Sequence, residues 1–202
     1  MTTSQAMQTL LDRTEIAQLE RDWGLWRDTW RWDKLRDLYA PGALMTTTWM
    51  DGTAAEFLAA VMESAKRGNR GQHFIGASSI AVNGDRAIAE TRLVLMMRAV
   101  LEGIEVDVSC HGRVHDRLVR HDGRWRILRR VPIYEKDRID SVIPGATIVL
   151  DPAKLALHPE GYRHLAYMQT LRGDRIVPNL IAPNSPEQAR LYAEGDAWLA
   201  AG

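Results

Sequence analysis

Six histidines and one cysteine are the side chains of this sequence best suited to catalysis or metal binding. None of them lies in a glycine-rich phosphate loop, a CxxC pair, a GxSxG elbow or an HExxH motif. His111 and His115 have a spacing that would place two imidazoles on one face of a helix, as in a zinc site. Here they lie in a strand-like run with Arg113 between them on the same face, and its charge would repel a cation. We therefore predict no metal site and no cofactor.

Composition limits the kinds of partner. The 202 residues contain 26 Lys and Arg against 26 Asp and Glu, so the net charge is zero and the basic excess of a nucleic-acid-binding protein is absent. We therefore expect an uncharged small molecule and a second copy of the chain as partners, with no role for nucleic acid or membrane. Seven Trp against two Phe suggest a flat aromatic ligand.

Cys110 is the only cysteine, so an internal disulfide cannot form. Nothing near it suggests an activated thiolate, and we interpret it as a small wall residue. The first residues lack the basic start and apolar run of a secretion signal, and no stretch approaches the length of a membrane span. The sequence thus predicts a soluble, cytoplasmic protein.

The elements that would position a site begin with helices. Apolar residues at three- and four-residue steps predict a helix from Thr14, which would act as its cap, through Trp23, Trp26 and Trp30. Asp33 is placed to cap a second, short helix. A first strand is predicted at 43–50 and a third helix at about 53–66.

After the third helix the hydrophobic period becomes two, and hairpin-type turns such as Asp122-Gly123 separate long strand-like runs. These runs cover 73–82, 86–100, 105–119 and 124–136. Helices followed by a strongly curved, mostly antiparallel sheet predict an α+β fold with the helices packed on one face.

The last sixty residues contain repeated prolines, and only 187–200 has a convincing helical pattern. This stretch is too apolar for a disordered tail. We predict a core domain at 1–140 and a C-terminal extension at 141–202 that covers the pocket or a neighbouring subunit.

Three stretches in order resemble the SnoaL-like branch of the nuclear transport factor 2-like superfamily over about residues 10–140. They are TEIAQLERDWGLWRDTWRWDKLRDLYAP, GQHFIGASSIAV and HDGRWRILRRVPIYEKDRID. The resemblance implies a cone-shaped α+β barrel with a deep apolar pocket capped by the first helices. The branch includes dehydratases, a dehydrochlorinase, isomerases, polyketide cyclases and γ-formaldehyde lyases of lignin-derived diaryl compounds.

The resemblance also implies site residues. The family's helix-end Asp corresponds to Asp28 and its strand-start His to His73, and together they resemble a catalytic dyad. A carboxylate bound to one imidazole nitrogen fixes the tautomer and makes the other nitrogen a general base. Arg130 corresponds to a pocket Arg of the dehydrochlorinase, with Tyr134 on the same face, and either could bind a leaving group or an oxyanion.

Two positions depart from the bile-acid dehydratase of the branch. Trp23 stands where that enzyme has a Tyr, and Pro132 stands where it has a pocket Arg, so a hydroxyl donor is missing from that corner. Trp23 and Trp49 are the pair we expect around a flat substrate.

The resulting hypothesis is a cofactor-independent lyase that eliminates water, halide or formaldehyde from a hydrophobic, aromatic substrate through Asp28 and His73. An isomerase or cyclase using the same dyad is the first alternative, and a non-catalytic binding or dimerisation module is the second. A homodimer is expected through the strand face that bears His111, Arg113 and His115.

Overall fold

A six-stranded sheet with helices against it forms the body of the protein in the computed structural model, which describes residues 2–202. The helices are α1 (Thr3–Asp28), α2 (Trp32–Asp37), α3 (Ala54–Lys66), α4 (Pro152–Leu155), α5 (Arg163–Leu171) and α6 (Pro186–Ala200). The strands are β1 (Tyr39–Thr46), β2 (Asp51–Thr53), β3 (Gly71–Asn83), β4 (Arg86–Leu101), β5 (Ile104–His121) and β6 (Arg124–Ser141).

The strand order is β2-β1-β6-β5-β4-β3, and every pair is antiparallel except β1 with β6. This confirms the predicted α+β fold. The sheet does not close, because β2 and β3 are its two edges.

Bulges bend the long strands. β6 carries one extra residue opposite the step from His111 to Gly112, and another opposite the step from Arg117 to Leu118. A Cβ on Gly112 would lie 2.5 Å from the carbonyl oxygen of Ile133, so only glycine allows this close approach. Bulges increase twist and curvature, and they give the sheet the concave face that holds the candidate site.

Helix α1 begins eleven residues before the predicted cap at Thr14. Thr2 and Gln5 form a capping box at its true start, while the Thr14 hydroxyl donates to the carbonyl of Leu10 within the helix. The sequence pattern missed this segment because its apolar residues are exposed and show no buried stripe. Asp33 is also not a cap, since it lies inside the first turn of α2 after Arg31.

The first strand is displaced from its predicted range of 43–50. It occupies Tyr39–Thr46 and includes the Pro41-Gly42 pair. Pairing with β6 starts at Tyr39, and the Thr47 hydroxyl accepts from the amides of Trp49 and Met50 in the following turn.

The C-terminal extension is ordered. Besides α6 it contains two helices, α4 and α5, which the sequence pattern did not predict because prolines interrupt it. Its buried residues Tyr162, Leu165 and Met168 share a core with Val106 and Val108 of β5. A Cβ on Gly161 would lie 2.5 Å from the Tyr134 carbonyl oxygen, so the extension packs directly on β6.

Helix α6 covers the strand face where we expected a twofold partner. The Arg113 guanidinium donates to the Tyr192 hydroxyl and to Oε1 of Gln188 at 2.9 Å. His115 is 4% exposed, and its ring lies 5.6 Å from the ring of Tyr192. A homodimer partner at this face would therefore contact α6 rather than the strands.

Candidate active site

Asp28 and His73 are in direct contact although 45 positions separate them. Nδ1 of His73 lies 2.6 Å from one carboxylate oxygen of Asp28, and the backbone amide of His73 donates to the other at 2.5 Å. The His73 side chain is 10% exposed and the Asp28 side chain 15%. Two bonds to one carboxylate fix both the ring and the strand that carries it, and they leave Nε2 of His73 as the nitrogen available for proton transfer.

A close approach of α1 to β3 makes this contact. Asp28 is the last residue of α1, and His73 lies near the start of β3. One turn before Asp28, a Cβ on Gly24 would lie 2.6 Å from Cγ1 of Ile75 and 3.3 Å from the His73 carbonyl oxygen. The absence of a side chain at Gly24 therefore allows the helix end to reach the strand.

Trp23 packs against both the dyad and Arg130. Its ring lies 5.2 Å from the His73 ring in an edge-on arrangement, and the Arg130 guanidinium lies 4.3 Å from its centre. Its indole N–H donates to the Tyr39 hydroxyl at 2.6 Å. The bile-acid dehydratase has a tyrosine at the position of Trp23. The indole of Trp23 cannot replace its hydroxyl as a donor to a ligand, because its one N–H already donates to Tyr39.

Arg130 is fully buried between two carboxylates. Its Nε and Nη2 donate to Asp116 at 2.9 and 2.8 Å, and Nη2 also donates to Glu20. Burial alone would lower the pKa of Arg130, but the two carboxylates raise it overall. Burial, together with the charge of Asp116, raises the pKa of Glu20 well above its ordinary value of 4.5. The positive charge of Arg130 is therefore largely balanced before any ligand binds.

A cavity of about 370 Å³ opens beside His73. This volume lies within the range of small-molecule sites, roughly 300–1,000 Å³. Flat and apolar side chains make up much of the lining, and its exposed members, which mark the mouth of the cavity, are charged. The lining includes Trp23, Met45, Trp49, Phe57, Val61, His73, Leu93, Leu95, Met97, Cys110, Arg130, Pro132 and Tyr134.

Five of the six predicted site residues line this cavity, and the sixth, Asp28, lies behind His73. The ring centres of Trp49 and Trp23 lie 6.1 and 6.5 Å from that of Phe57, each in a nearly parallel arrangement. Tyr134 lines the cavity with its ring 5.3 Å from that of Tyr162, and burial raises the pKa of Tyr134. Tyr134 is therefore a neutral hydroxyl in the cavity wall.

The pKa of His73 is lowered from its ordinary value of 6.5. Burial is the main cause, while the hydrogen bond and the charge of Asp28 act in the opposite direction. Arg27 and Arg130 lower it further. The imidazole is consequently neutral near pH 7, as a general base must be before it accepts a proton.

A second Asp–His pair has the same local geometry without a cavity. Nδ1 of His164 lies 2.7 Å from Asp137, whose other oxygen accepts from the amide of Leu165 at 2.8 Å. Neither His164 nor Asp137 lines the cavity. This pair fixes the start of α5 on β6, and it provides an internal comparison for the first one.

The extension also contributes residues that sequence reasoning missed. Gln169, Arg172 and Asp174 line the cavity, and the amide of Val177 donates to the Thr48 carbonyl at 2.8 Å. Gln169 is 2% exposed, and its side-chain oxygen has no hydrogen-bond partner within residues 2–202. A glutamine in a proline-rich segment carries no signal that would have revealed this position.

Replacing Gln169 by Met is expected to raise the free energy of unfolding by about 1 kcal/mol, because it removes a buried unsatisfied polar group. Equilibrium urea denaturation measures this change. Gln188→Met is the matched control and should destabilise the protein, since Oε1 of Gln188 accepts from both Arg113 and the amide of Asn184. A destabilised Gln169→Met variant would show that the Gln169 amide already has a partner.

Residues 2–202 lack two features that have a simple structural signature. They contain no group of three or more His, Cys, Asp and Glu side chains arranged to hold a metal ion. Over the same residues, no helix combines the length and the apolar character needed to cross a bilayer.

Comparison with known proteins agrees with this architecture. The chain is 31% identical to pea pathogenicity protein 2 of Fusarium vanettenii over 83% of its own length and 73% of that protein. It is 29% identical to an uncharacterised protein of Emericella nidulans over 80% and 71% of the two chains.

Solved structures share the fold at low identity. A hexachlorocyclohexane dehydrochlorinase aligns with a TM-score of 0.58 and 12% identity over 73% of this chain and 99% of that one. A protein of Novosphingobium aromaticivorans, provisionally named a scytalone dehydratase, aligns with a TM-score of 0.56 and 15% identity over 70% and 97%.

The family comparison covers most of the predicted core domain. Residues 8–131 match the model of the SnoaL-like domain. These residues include most of α1, both members of the Asp28–His73 pair and the sheet up to the middle of β6. The chain therefore belongs to the SnoaL-like domain family.

Proposed function

We propose that this protein is a cofactor-independent lyase that acts on a hydrophobic aromatic molecule, with His73 as the general base and Asp28 as its positioning partner. One observation carries the proposal: the Asp28–His73 hydrogen bond of 2.6 Å lies at the wall of a cavity of about 370 Å³. Nearly parallel aromatic rings in that wall suit a flat substrate.

In a simple elimination, Nε2 of His73 removes a proton from carbon. The C–H electrons form the new double bond, and the neighbouring group leaves either as a halide ion or as water, in the second case after its hydroxyl has taken the proton from His73. For a diaryl propanediol, His73 would instead deprotonate the primary hydroxyl. The C–C bond then breaks with release of formaldehyde, its electrons form the alkene, and the benzylic hydroxyl departs as water after taking the proton from His73.

Arg130 and Tyr134 are proposed to contact the leaving oxygen. Both line the cavity, and Nη1 of Arg130 makes no hydrogen bond within residues 2–202. Because Asp116 and Glu20 already balance its charge, Arg130 would act here as a fixed hydrogen-bond donor rather than as a free cation.

An isomerase or cyclase with the same dyad is the alternative, and product mass separates the two. We expect purified protein given a panel of diaryl propanediols and β-hydroxy aryl compounds to form products lighter by water, or by water plus formaldehyde. Mass spectrometry and a formaldehyde assay measure both losses. Products of unchanged mass would favour the isomerase, and no turnover of any member would favour a binding module.

A further inference from the structure

The net charge of zero conceals an arginine in the cavity that has no acidic partner. Arg27 is half-buried, lines the cavity and directly precedes Asp28. Within residues 2–202 it forms no ion pair, because both oxygens of Asp28 are taken up by the ring and the amide of His73. Arg27 thus differs from Arg130, which forms ion pairs with Asp116 and Glu20.

Burial lowers the pKa of Arg27, and the nearby charge of Asp28 offsets this only in part. Arg27 and His73 line the same cavity, and the Arg27 charge lowers the pKa of His73. Removing a guanidinium partly from water without an ion-pair partner costs free energy. An anionic ligand would offset that cost by accepting charge-assisted hydrogen bonds from it.

The mouth of the cavity is also positively charged. Arg67 and Arg70 line it and form no ion pair within residues 2–202; Arg70 packs instead over the Trp30 ring at 5.1 Å. The acidic residues at the mouth already have partners, since Glu63 pairs with Lys66 at 3.2 Å and Asp174 with Arg172 at 3.0 Å. An entering anion would therefore meet an excess of positive charge.

We propose that the substrate is an aromatic carboxylate and that Arg27 binds its carboxylate beside His73, an inference that rests on the lyase proposed above. The walls formed by Trp23, Trp49 and Phe57 account for the aromatic part. Arg27 matches a single negative charge in a planar group that accepts two hydrogen bonds, which is the geometry of a carboxylate. A phosphate monoester would carry about 1.5 to 2 negative charges near pH 7, which is more than the single charge of Arg27 would balance.

The test compares two ligands of the same shape by isothermal titration calorimetry. Stilbene-4-carboxylate and stilbene-4-carboxamide differ in charge but not in size. The unmodified protein should bind the carboxylate roughly 10- to 100-fold more tightly, the range expected for a charge-assisted hydrogen bond in a partly buried site. Arg27→Gln should reduce this preference to about one-fold with little change for the amide, while Arg27→Lys should keep part of it.

Arg190→Gln is the matched control, because it removes one positive charge from an exposed position on α6. It should leave the preference intact, and circular dichroism shows whether each variant is folded. His73→Ala should also keep the preference even if it abolishes turnover, so failure of the lyase proposal would be seen separately. A preference that survives Arg27→Gln, or that is lost only in Arg67→Gln or Arg70→Gln, would overturn the assignment to Arg27.

Discussion

Replacing His73 by alanine is expected to lower turnover of any substrate by roughly 10²- to 10⁴-fold, the usual contribution of a general base. The side chain is 10% exposed and packs edge-on against Trp23, so some loss of stability will accompany the loss of activity. Steady-state kinetics on folded protein, with the melting temperature recorded alongside, separate the two effects. Retention of more than a tenth of the original rate would remove His73 from the proposed mechanism.

Asp28→Asn should also slow the reaction and should change its pH dependence. Because the charge of Asp28 acts to raise the pKa of His73, its removal lowers that pKa further. In the unmodified enzyme the acid limb of kcat/KM is expected below pH 6.5, the ordinary histidine value, since burial lowers the pKa of His73. The limb should move to lower pH in Asp28→Asn, which a merely structural role for Asp28 would not produce.

The second Asp–His pair supplies the matched control. His164 contacts Asp137 at 2.7 Å, and Asp137 also accepts from a backbone amide, that of Leu165, but neither residue of the pair lines the cavity. His164→Ala should therefore lower stability by loosening α5 and leave the acid limb unchanged. Equal losses of activity in His73→Ala and His164→Ala would indicate that both pairs act by holding the fold.

The fold was largely predictable because its signals are local. Turn residues with positive φ, such as Asp122 at 50° and Gly123 at 72°, marked the hairpins, and the period of two between them located the strands. Helix α5 was missed because its nine residues follow the Pro159-Glu160-Gly161 break and its buried face is recognisable only against β5 and β6. The bulges were missed because they depend on pairing between strands, which no single segment records.

The sequence predicted which residues come together at the cavity, but it did not predict the charge balance among them. The resemblance identified Asp28, His73 and Arg130 by position. It could not show that Arg130 is balanced by Glu20 from α1 and Asp116 from β5, because these partners lie 110 and 14 residues away. The same limit led us to expect an uncharged ligand, although Arg27 has no partner within residues 2–202. A total charge of zero describes the sum over the chain and not the charge of its cavity.

The balance at Arg130 leads to the largest stability effect that we predict. Arg130→Met is expected to lower the free energy of unfolding by about 3–5 kcal/mol, because it leaves Asp116 buried without a counter-charge. Urea denaturation measures the loss. The triple variant Glu20→Gln, Asp116→Asn, Arg130→Met removes every charge of the cluster and should recover much of it, which also keeps the test usable if Arg130→Met alone does not fold. A single variant as stable as the unmodified protein would contradict the buried ion cluster.

Glu20→Gln alone should change the free energy of unfolding much less than Arg130→Met does, and the sign of the change should depend on pH. The folded pKa of Glu20 lies above its ordinary value of 4.5. Its contribution to stability is therefore fully present below pH 4.5 and is lost as the pH rises through the folded pKa, where the buried carboxyl must ionise. The difference in unfolding free energy between the two proteins should accordingly shift in favour of Glu20→Gln as the pH rises. A difference that is independent of pH would mean that the pKa of Glu20 is the same in the folded and the unfolded chain, which would contradict a carboxyl whose pKa is raised by burial.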